Sequence, residues 1–357
     1  MAAYPRIEID LRGIRENIRL MKKRCRERGV ELTGVVKGAA GNIEVAGAFI
    51  EEGISILGDS RLNNIKKFRE ADLEAEYMLL RLPDPEEAEE VVRQVDISLN
   101  SELKTLKALS LAAQSLGRRH RIIVMIDTGD LREGLWESEI DEFFSRALEM
   151  EGLDVEGIGT NVGCYGGVLP DRENTGKLVE IRDKLREKFD VELPVISGGN
   201  TATTILLEKE SLPQEINNLR IGEGILQGTD ATHQRELSGF EVGNFKAAAR
   251  IIELKNKPSL PRGNLGRDSF GQKPDFKDRG LRCRAILALG RQDVRVDGLK
   301  PREENLEIMG ASSDHLLIDV TESGRNYQVG DVMKFDLSYG AMLAGMTSDY
   351  MNKVLLD

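Results

Sequence analysis

Between about residues 11 and 236 the sequence repeats one pattern: a short apolar run, then a longer amphipathic stretch. The runs are TGVVK, SILGDS, YMLLR, VDISLN, RIIVMID, VEGIGTN, LPVISGG and NLRIGEGI. Short apolar runs bounded by glycine or polar residues read as buried strands, and the stretches between them carry apolar residues at helical spacing. In RGIRENIRLMKKRC, for example, Ile14, Ile18, Met21 and Cys25 fall on one face. Asp84-Pro85 offers a capping acid followed by a proline suited to a first helical turn. NSELKTLKALSLAAQSLG runs from a capping Ser101 to a terminating Gly117. Eight strands with helices between them predict an α/β chain built as a (β/α)8 TIM-type barrel, with a doubly wound open sheet as the competing arrangement.

After residue 237 the texture changes. RGNLGRDSFGQKPDFKDRG (262–280) is rich in glycine, proline and charge and has no apolar period. The strand-like runs RAILALG, HLLIDV and VMKFDLSY follow, separated by turns. The expected organisation is therefore a barrel over 11–236 and a mainly β C-terminal domain over 237–357, with an N-terminal strand (1–10) joining it. A chain of 357 residues exceeds the usual size of a single core, which agrees with two domains or an extended barrel.

Formal net charge is −11, which argues against a nucleic-acid backbone as partner. The three cysteines, Cys25, Cys164 and Cys283, have no C-x-x-C spacing, so neither a disulfide framework nor a metal site is indicated. MAAYPRIEID lacks the apolar core of a signal peptide, and no run approaches membrane-spanning length. The expectation is a cytoplasmic protein without membrane contact.

In a barrel of this kind the active site lies at the C-terminal strand ends. Here those ends carry Lys37, Asp59, Arg81, Asn100, Asp127, Asn161 and then Gly198-Gly199-Asn200-Thr201. One polar ending is an ordinary exit to solvent; a ring of them suggests a lined pocket. Lys37, in GVVKGAAGN, is either a surface lysine at a strand end or a lysine in a weakly polar pocket. In a pocket, desolvation lowers its pKa and leaves neutral amine that can condense with an aldehyde. SGGNTATTI (197–205) leads from glycines into a helix start, and LRIGEGILQG (219–228) places Arg220 before closely spaced glycines. Each is ordinary turn chemistry alone. Together with a first-strand lysine they suit a phosphate-bearing aldehyde such as pyridoxal phosphate.

At this point the chain resembles the fold-type III pyridoxal-phosphate enzymes, and among them the alanine racemase group, in particular its ornithine/lysine racemase branch. IEIDLRGIRENI (7–18), VVKGAA (35–40), MIDTGDLREG (125–134), GGNTA (198–202), LRIGEG (219–224), SSDHLLIDV (312–320) and DLSYG (336–340) carry the likeness in order and spacing. The resemblance implies that Lys37 bears the cofactor. Asn200, Thr201, the backbone of Gly222 and Glu223, and the Tyr339 hydroxyl would hold it at the phosphate end. Arg220 would face the pyridine nitrogen. Arg132 would sit near the substrate carboxylate, Asp314 near the substrate, and two copies of the chain would share their active sites as a homodimer.

The sequence also departs from that pattern. Racemisation needs a base on each face of the substrate, and Phe270 falls near the place of the tyrosine that serves the second face in alanine racemases, so that either the loop aligns differently or another group acts. Asp268, Lys273, Cys164 and Asp314 are the alternatives. Asn161 stands where the family places a ring-stacking histidine, and Gly41 where it often has a phosphate-contacting tyrosine, which implies a roomier pocket. Asp130 replaces an apolar residue and, with Glu133, could pair with the distal ammonium of ornithine or lysine. It could equally cap the following turn. The expected function is racemisation of a small amino-acid substrate, basic in character. A non-catalytic pyridoxal-phosphate homeostasis protein, which GISILGDSRLNNIKKF (53–68) also resembles, and a basic amino-acid decarboxylase stay open.

Overall fold

The structure, a computed structural model, describes residues 3–356. The chain divides into two compact units, one formed by Gly13–Val242 and the other joining the N-terminal strand to the chain from Gly243 onward. The chain opens with strand β1 (Arg6–Asp10) and helix α1 (Leu11–Arg26). The first unit is a closed barrel of parallel strands: β2 (Glu31–Val35), β3 (Ile56–Asp59), β4 (Glu76–Leu79), β5 (Ile97–Asn100), β6 (His120–Met125), β7 (Leu153–Gly159), β8 (Val195–Ser197) and β9 (Asn218–Ile221). Between them lie α2 (Ile43–Glu51), α3 (Leu62–Glu70), α4 (Ala88–Gln94), α5 (Leu103–Ser115), α6 (Ile140–Ala147), α7 (Arg172–Phe189) and the short α8 (Thr204–Glu208). Closure comes from β9 pairing back on β2, with Leu32 opposite Leu219 and Thr33 opposite Arg220. The open sheet is thereby excluded.

The barrel interior has two chemistries. Ile56, Met78, Ile97, Leu99, Ile123 and Met125, from β3 to β6, form an apolar cluster. The strands β2, β8 and β9 also bury polar residues. Asn218 donates to Thr33 Oγ1 (3.0 Å), Ser197 Oγ donates to Asn218 Oδ1 (2.5 Å), and Arg220 donates to Ser197 Oγ. Glycine is needed where β7 meets β8, because a Cβ on Gly157 would lie 1.9 Å from the Val195 carbonyl oxygen.

Helix α1 buries Ile14, Ile18, Met21 and Cys25, the face read from the sequence. It is tied to the end of the barrel unit by Asn17, whose amide donates to the carbonyls of Ile225 (2.9 Å) and Glu241 (2.8 Å) and accepts from Glu241 N–H (2.7 Å). That lock, with the hairpin β10 (Thr229–Asp230) and β11 (Arg235–Glu236), carries the unit past the expected boundary at 236 to Val242. Asp84 caps its turn as expected, accepting from Glu86 N–H (3.0 Å). Ser101 does not cap α5; the cap position falls on Glu102 and makes no side-chain hydrogen bond.

In the second unit, β12 (Phe245–Pro258), β13 (Leu281–Leu287), β14 (Leu299–Pro301), β15 (Glu307–Ala311), β16 (Leu316–Asp319) and β17 (Val332–Leu337) form a sheet in the order β14-β17-β12-β13-β16-β15. Strand β1 pairs antiparallel with β12 and parallel with β18 (Asn352–Leu356). A helix, here α9 (Glu223–Leu226) in the barrel and α10 (Tyr339–Thr347) in the β unit, completes the elements. No helix among the described residues is long and apolar enough to cross a membrane.

One buried group gives the fold a measurable pH dependence. His120, 2% exposed, lies against Ser98 Oγ (2.8 Å), and burial pushes its pKa down to about 4. Between that value and the unfolded value of about 6.5, the unfolded chain binds more protons, so this contribution is complete above the unfolded value and lost on acidification. Asp59 and Glu223, raised by burial to about 6 and about 7, slope the other way, so the wild type has to be compared with a variant. The stability difference between wild type and His120→Gln should widen by about 3 kcal/mol from about pH 4 to about pH 6.5 in urea titrations. A difference that stays flat across that range refutes the assignment.

Candidate active site

Lys37 leaves the end of β2 on a short 3-10 turn, Lys37–Ala39, beside the end of β9. A Cβ on Gly222 would meet the Val35 carbonyl oxygen at 2.9 Å, so the two strand ends approach closely only with glycine there. Burial holds the Lys37 amine below the usual lysine range, and Arg132 pushes the same way, while Cys164, Asp59 and Glu133 oppose it. The lysine is thus a pocket group rather than a solvated strand end.

Arg220, on β9, is 5% exposed. Its guanidinium donates to Ser197 Oγ and, at 2.7 Å, to the Thr160 carbonyl oxygen. Burial lowers its pKa to about 10, and Glu133 and Arg132 are the charged groups that act on it. One mouth therefore brings together Lys37, Arg220, Arg132, Glu133, Cys164 and Asp59. Among the described residues no group of His, Cys, Asp or Glu side chains is placed to hold a metal ion.

Two loops build the far side of this mouth. The loop after β6 returns to its own strand, with Leu135 N–H donating to Met125 O (2.9 Å) and Asp127 N–H to Leu135 O (3.1 Å). Gly134, at φ +130°, allows the return, since a Cβ there would lie 2.4 Å from Asp127 N. The loop carries Arg132 and Glu133, which pair with each other through both guanidinium and carboxylate edges. Arg132 is the more exposed of the two, and Glu133 is largely buried.

Asp130 corrects the sequence reading. Its side chain is 1% exposed, and its carboxylate accepts from four backbone N–H groups: Gly163 (3.0 Å), Cys164 (3.2 Å), Tyr165 (2.9 Å) and Val168 (3.3 Å). Gly166 N–H adds a bond to the Asp130 carbonyl oxygen (3.2 Å). Such a nest of N–H groups satisfies an anion fully, so no lone pair is left for a substrate ammonium. Asp130 instead fastens the loop after β6 to the loop after β7. Neither a capped local turn nor an ion pair describes it, and nothing local in GDLREG announces a partner more than thirty residues away.

Asn161 and Asn200 are also more engaged than the sequence suggests. Asn200 accepts from Ala202 N–H (2.8 Å) and donates to Asn161 Oδ1 (2.8 Å) and the Val162 carbonyl (2.8 Å). Asn161 directs its amide N–H at Cys164 Sγ (3.1 Å), with the Asn200 amide 3.4 Å from the same sulfur. Thr201 Oγ1 accepts from Gly224 N–H (3.1 Å). The Glu223 carboxylate accepts from Thr229 Oγ1 and Ala231 N–H, both at 2.8 Å. The space expected at Gly41 is taken by Asn64, whose Oδ1 would lie 2.6 Å from a Cβ there; Gly41 also sits at φ +78°. Asn64 in turn donates to Asp59 (3.1 Å), a residue pair the sequence reading missed.

The remaining expected residues lie in the β unit. Tyr339 opens α10, Asp314 is exposed and paired with His315 Nδ1 (2.8 Å), and Phe270 is exposed with the Arg291 guanidinium 4.1 Å from its ring centre.

The Asp130 clamp makes a prediction. Asp130→Asn keeps one acceptor oxygen but turns an NH2 group toward N–H donors, which should lower the unfolding free energy by about 2–3 kcal/mol in urea. Amides of residues 163–168 should also exchange faster with deuterated solvent. Unchanged exchange in that segment refutes the clamp.

Comparison with known proteins agrees with this arrangement. The sequence profile of the alanine racemase N-terminal domain matches residues 9–229. An ornithine racemase from Acetoanaerobium sticklandii is 44% identical over 354 residues, covering 99% of this chain and all of that one. A lysine racemase from Thermotoga maritima is 42% identical over 352 residues, covering 98% of each. Among solved structures, an alanine racemase from Clostridium difficile superposes with a TM-score of 0.78 at 18% identity, covering all of this chain and 97% of that one. One from Bartonella henselae, described with covalently bound pyridoxal phosphate, gives 0.76 at 17% identity, covering 99% of this chain and all of its own. The chain belongs to the alanine racemase family of pyridoxal-phosphate-dependent isomerases.

Proposed function

We propose that this protein interconverts the L- and D-forms of a basic amino acid, ornithine or lysine, as a cytoplasmic homodimer with shared active sites. The observation that carries the reading is the agreement of two relatives, matched over nearly their whole lengths and named as racemases of ornithine and lysine, with a partly buried lysine and a buried arginine at one barrel mouth.

The residues fit pyridoxal phosphate. The Arg220 guanidinium, fixed by Ser197 and Thr160, suits a neutral ring nitrogen, and desolvation of Lys37 favours its neutral amine. When bound, the cofactor supplies an aldehyde for the amine and a conjugated ring that draws electron density from the substrate Cα. Lys37 takes or returns a proton at that carbon on one face. Arg220 stays cationic near neutral pH and so disfavours a proton on the ring nitrogen. That restrains the electron sink and favours returning the proton over further bond cleavage. Arg132, held by Glu133, orients the substrate carboxylate. Thr201 and the backbone of Gly222 and Glu223 hold the phosphate. The roles of Tyr339 and Asp314 rest on the resemblance to the family. The β unit that follows the barrel favours an enzyme over a barrel-only cofactor carrier.

Incubation with L-ornithine, L-lysine and L-alanine, followed by optical rotation and CO2 release, tests the reading. Loss of rotation without gas, fastest for a basic substrate, is expected. Gas evolution identifies a decarboxylase, and no change with any amino acid identifies a carrier. Lys37→Ala should lose the visible absorbance of bound cofactor and all racemisation. Asp130→Ala should leave the order of preference among the three substrates unchanged, because its carboxylate faces the loop backbone.

A further inference from the structure

Thr160 directly follows β7 and is 1% exposed. Each of its polar groups goes to a different part of the barrel mouth. Its N–H donates to the Ser197 carbonyl on β8 (3.0 Å), and its own carbonyl oxygen accepts from the Arg220 guanidinium on β9 (2.7 Å). Its hydroxyl shares a hydrogen bond with the Thr128 hydroxyl in the loop after β6 (2.8 Å). One buried residue therefore joins the anchor of Arg220 to the loop that carries Arg132 and Glu133.

That loop needs such a tie. Asp127 Oδ1 accepts from Gly129 N–H (2.8 Å) and Leu131 N–H (3.2 Å), which winds the chain tightly around one carboxylate. Gly129 lies at φ +128° and Leu131 at φ +55°. A leucine in the left-handed region is disfavoured and persists only where other contacts hold it. Arg132 is the next residue, so its direction depends on that turn. The Asp127 bonds are local and shape the turn without fixing it to the barrel. Among the described residues, the hydrogen bonds from 127–134 to neighbouring elements come from Asp130, which holds the loop after β7, and from Thr128. Only the Thr128 bond ends on the residue that accepts from Arg220. Threonine suits the task, because a β-branched side chain is stiff at χ1 and holds its hydroxyl in one direction.

We propose that Thr128 and Thr160 are a positioning pair for the racemisation: their hydroxyl bond sets the turn that presents Arg132, at a fixed place relative to Arg220. The inference rests on the reading of Arg132 as the group that orients the substrate carboxylate. Neither hydroxyl takes part in the proton transfer. A carboxylate contact made alike before and during the reaction acts on KM and leaves kcat unchanged, so the pair acts on substrate binding. Valine in either place keeps the shape of the side chain and removes the bond. It also leaves the Thr160 carbonyl and Ser197 in place for Arg220.

The test uses the holoenzyme with L- and D-ornithine. In Thr128→Val and in Thr160→Val, KM for both enantiomers should rise about tenfold, with kcat within about twofold of wild type and the visible band of bound cofactor unchanged. The double variant should be no weaker than the weaker single one, because both changes remove the same bond. Thr160→Ser keeps the hydroxyl and should recover most of the wild-type KM, which separates the bond from a packing defect. Amides of 127–135 should exchange faster with deuterated solvent in Thr160→Val, although the substitution lies outside that segment. KM of Thr160→Val within about twofold of wild type overturns the proposal. So do single effects that multiply in the double variant, a Thr160→Ser variant no better than valine, or loss of the visible band in Thr128→Val. Failure of the Arg132 reading looks different: Arg132→Lys then keeps the wild-type KM, while exchange of 127–135 still rises in Thr160→Val.

Discussion

A guanidinium buried at the top of the barrel is the constraint on which the rest of the site depends. Removing a charge from water is costly unless hydrogen bonds and opposite charge replace the lost hydration. Arg220 meets that requirement with the Thr160 carbonyl, the Ser197 hydroxyl and the field of Glu133. Ser197 can accept from Arg220 because it donates to Asn218, and Asn218 donates onward to Thr33. The bonds therefore run from the loop after β7 through β8 and β9 to β2, across the seam where the barrel closes. The strand pairing that closes the cylinder and the charge that equips its mouth belong to one network.

The loops around that charge are fixed by backbone rather than by salt bridges between side chains. Asp130 gathers N–H groups from the loop after β7, and Asn200 and Thr232 fix the same loop through the carbonyls of Val162 and Gly163. Glycine appears where backbone approaches backbone, as at Gly134 and Gly222. These attachments leave Arg132, Glu133 and Cys164 on a supported rim.

Much of this was readable in the sequence. The eight runs named as strands are the eight strands of the barrel, because burial on both faces writes a continuous apolar run. Lys37 stood out at the end of the first such run, and Arg220 before closely spaced glycines near the last. The reading went astray where partners are remote. Asp130 looked like a substrate ligand because its neighbours in sequence offered it no partner, whereas its donors come from the next loop of the barrel. Gly41 looked like vacated space, and the occupant, Asn64, arrives from α3. Ser101 satisfied a capping pattern that the chain places one residue later without using a side chain.

The sequence by itself determined the barrel, the β strands after it and the family. Hydrophobic period and motif order are local properties, and they survive in one dimension. Only the tertiary structure decided which polar groups are free. Whether a carboxylate, an amide or a thiol faces ligand or backbone depends on loops that meet in space after long stretches of intervening chain. Hydrogen bonding is short-ranged and directional, so Asp130 became a loop fastener and Cys164 a rim group beside Lys37 only when strands six, seven and two of the chain closed around Arg220.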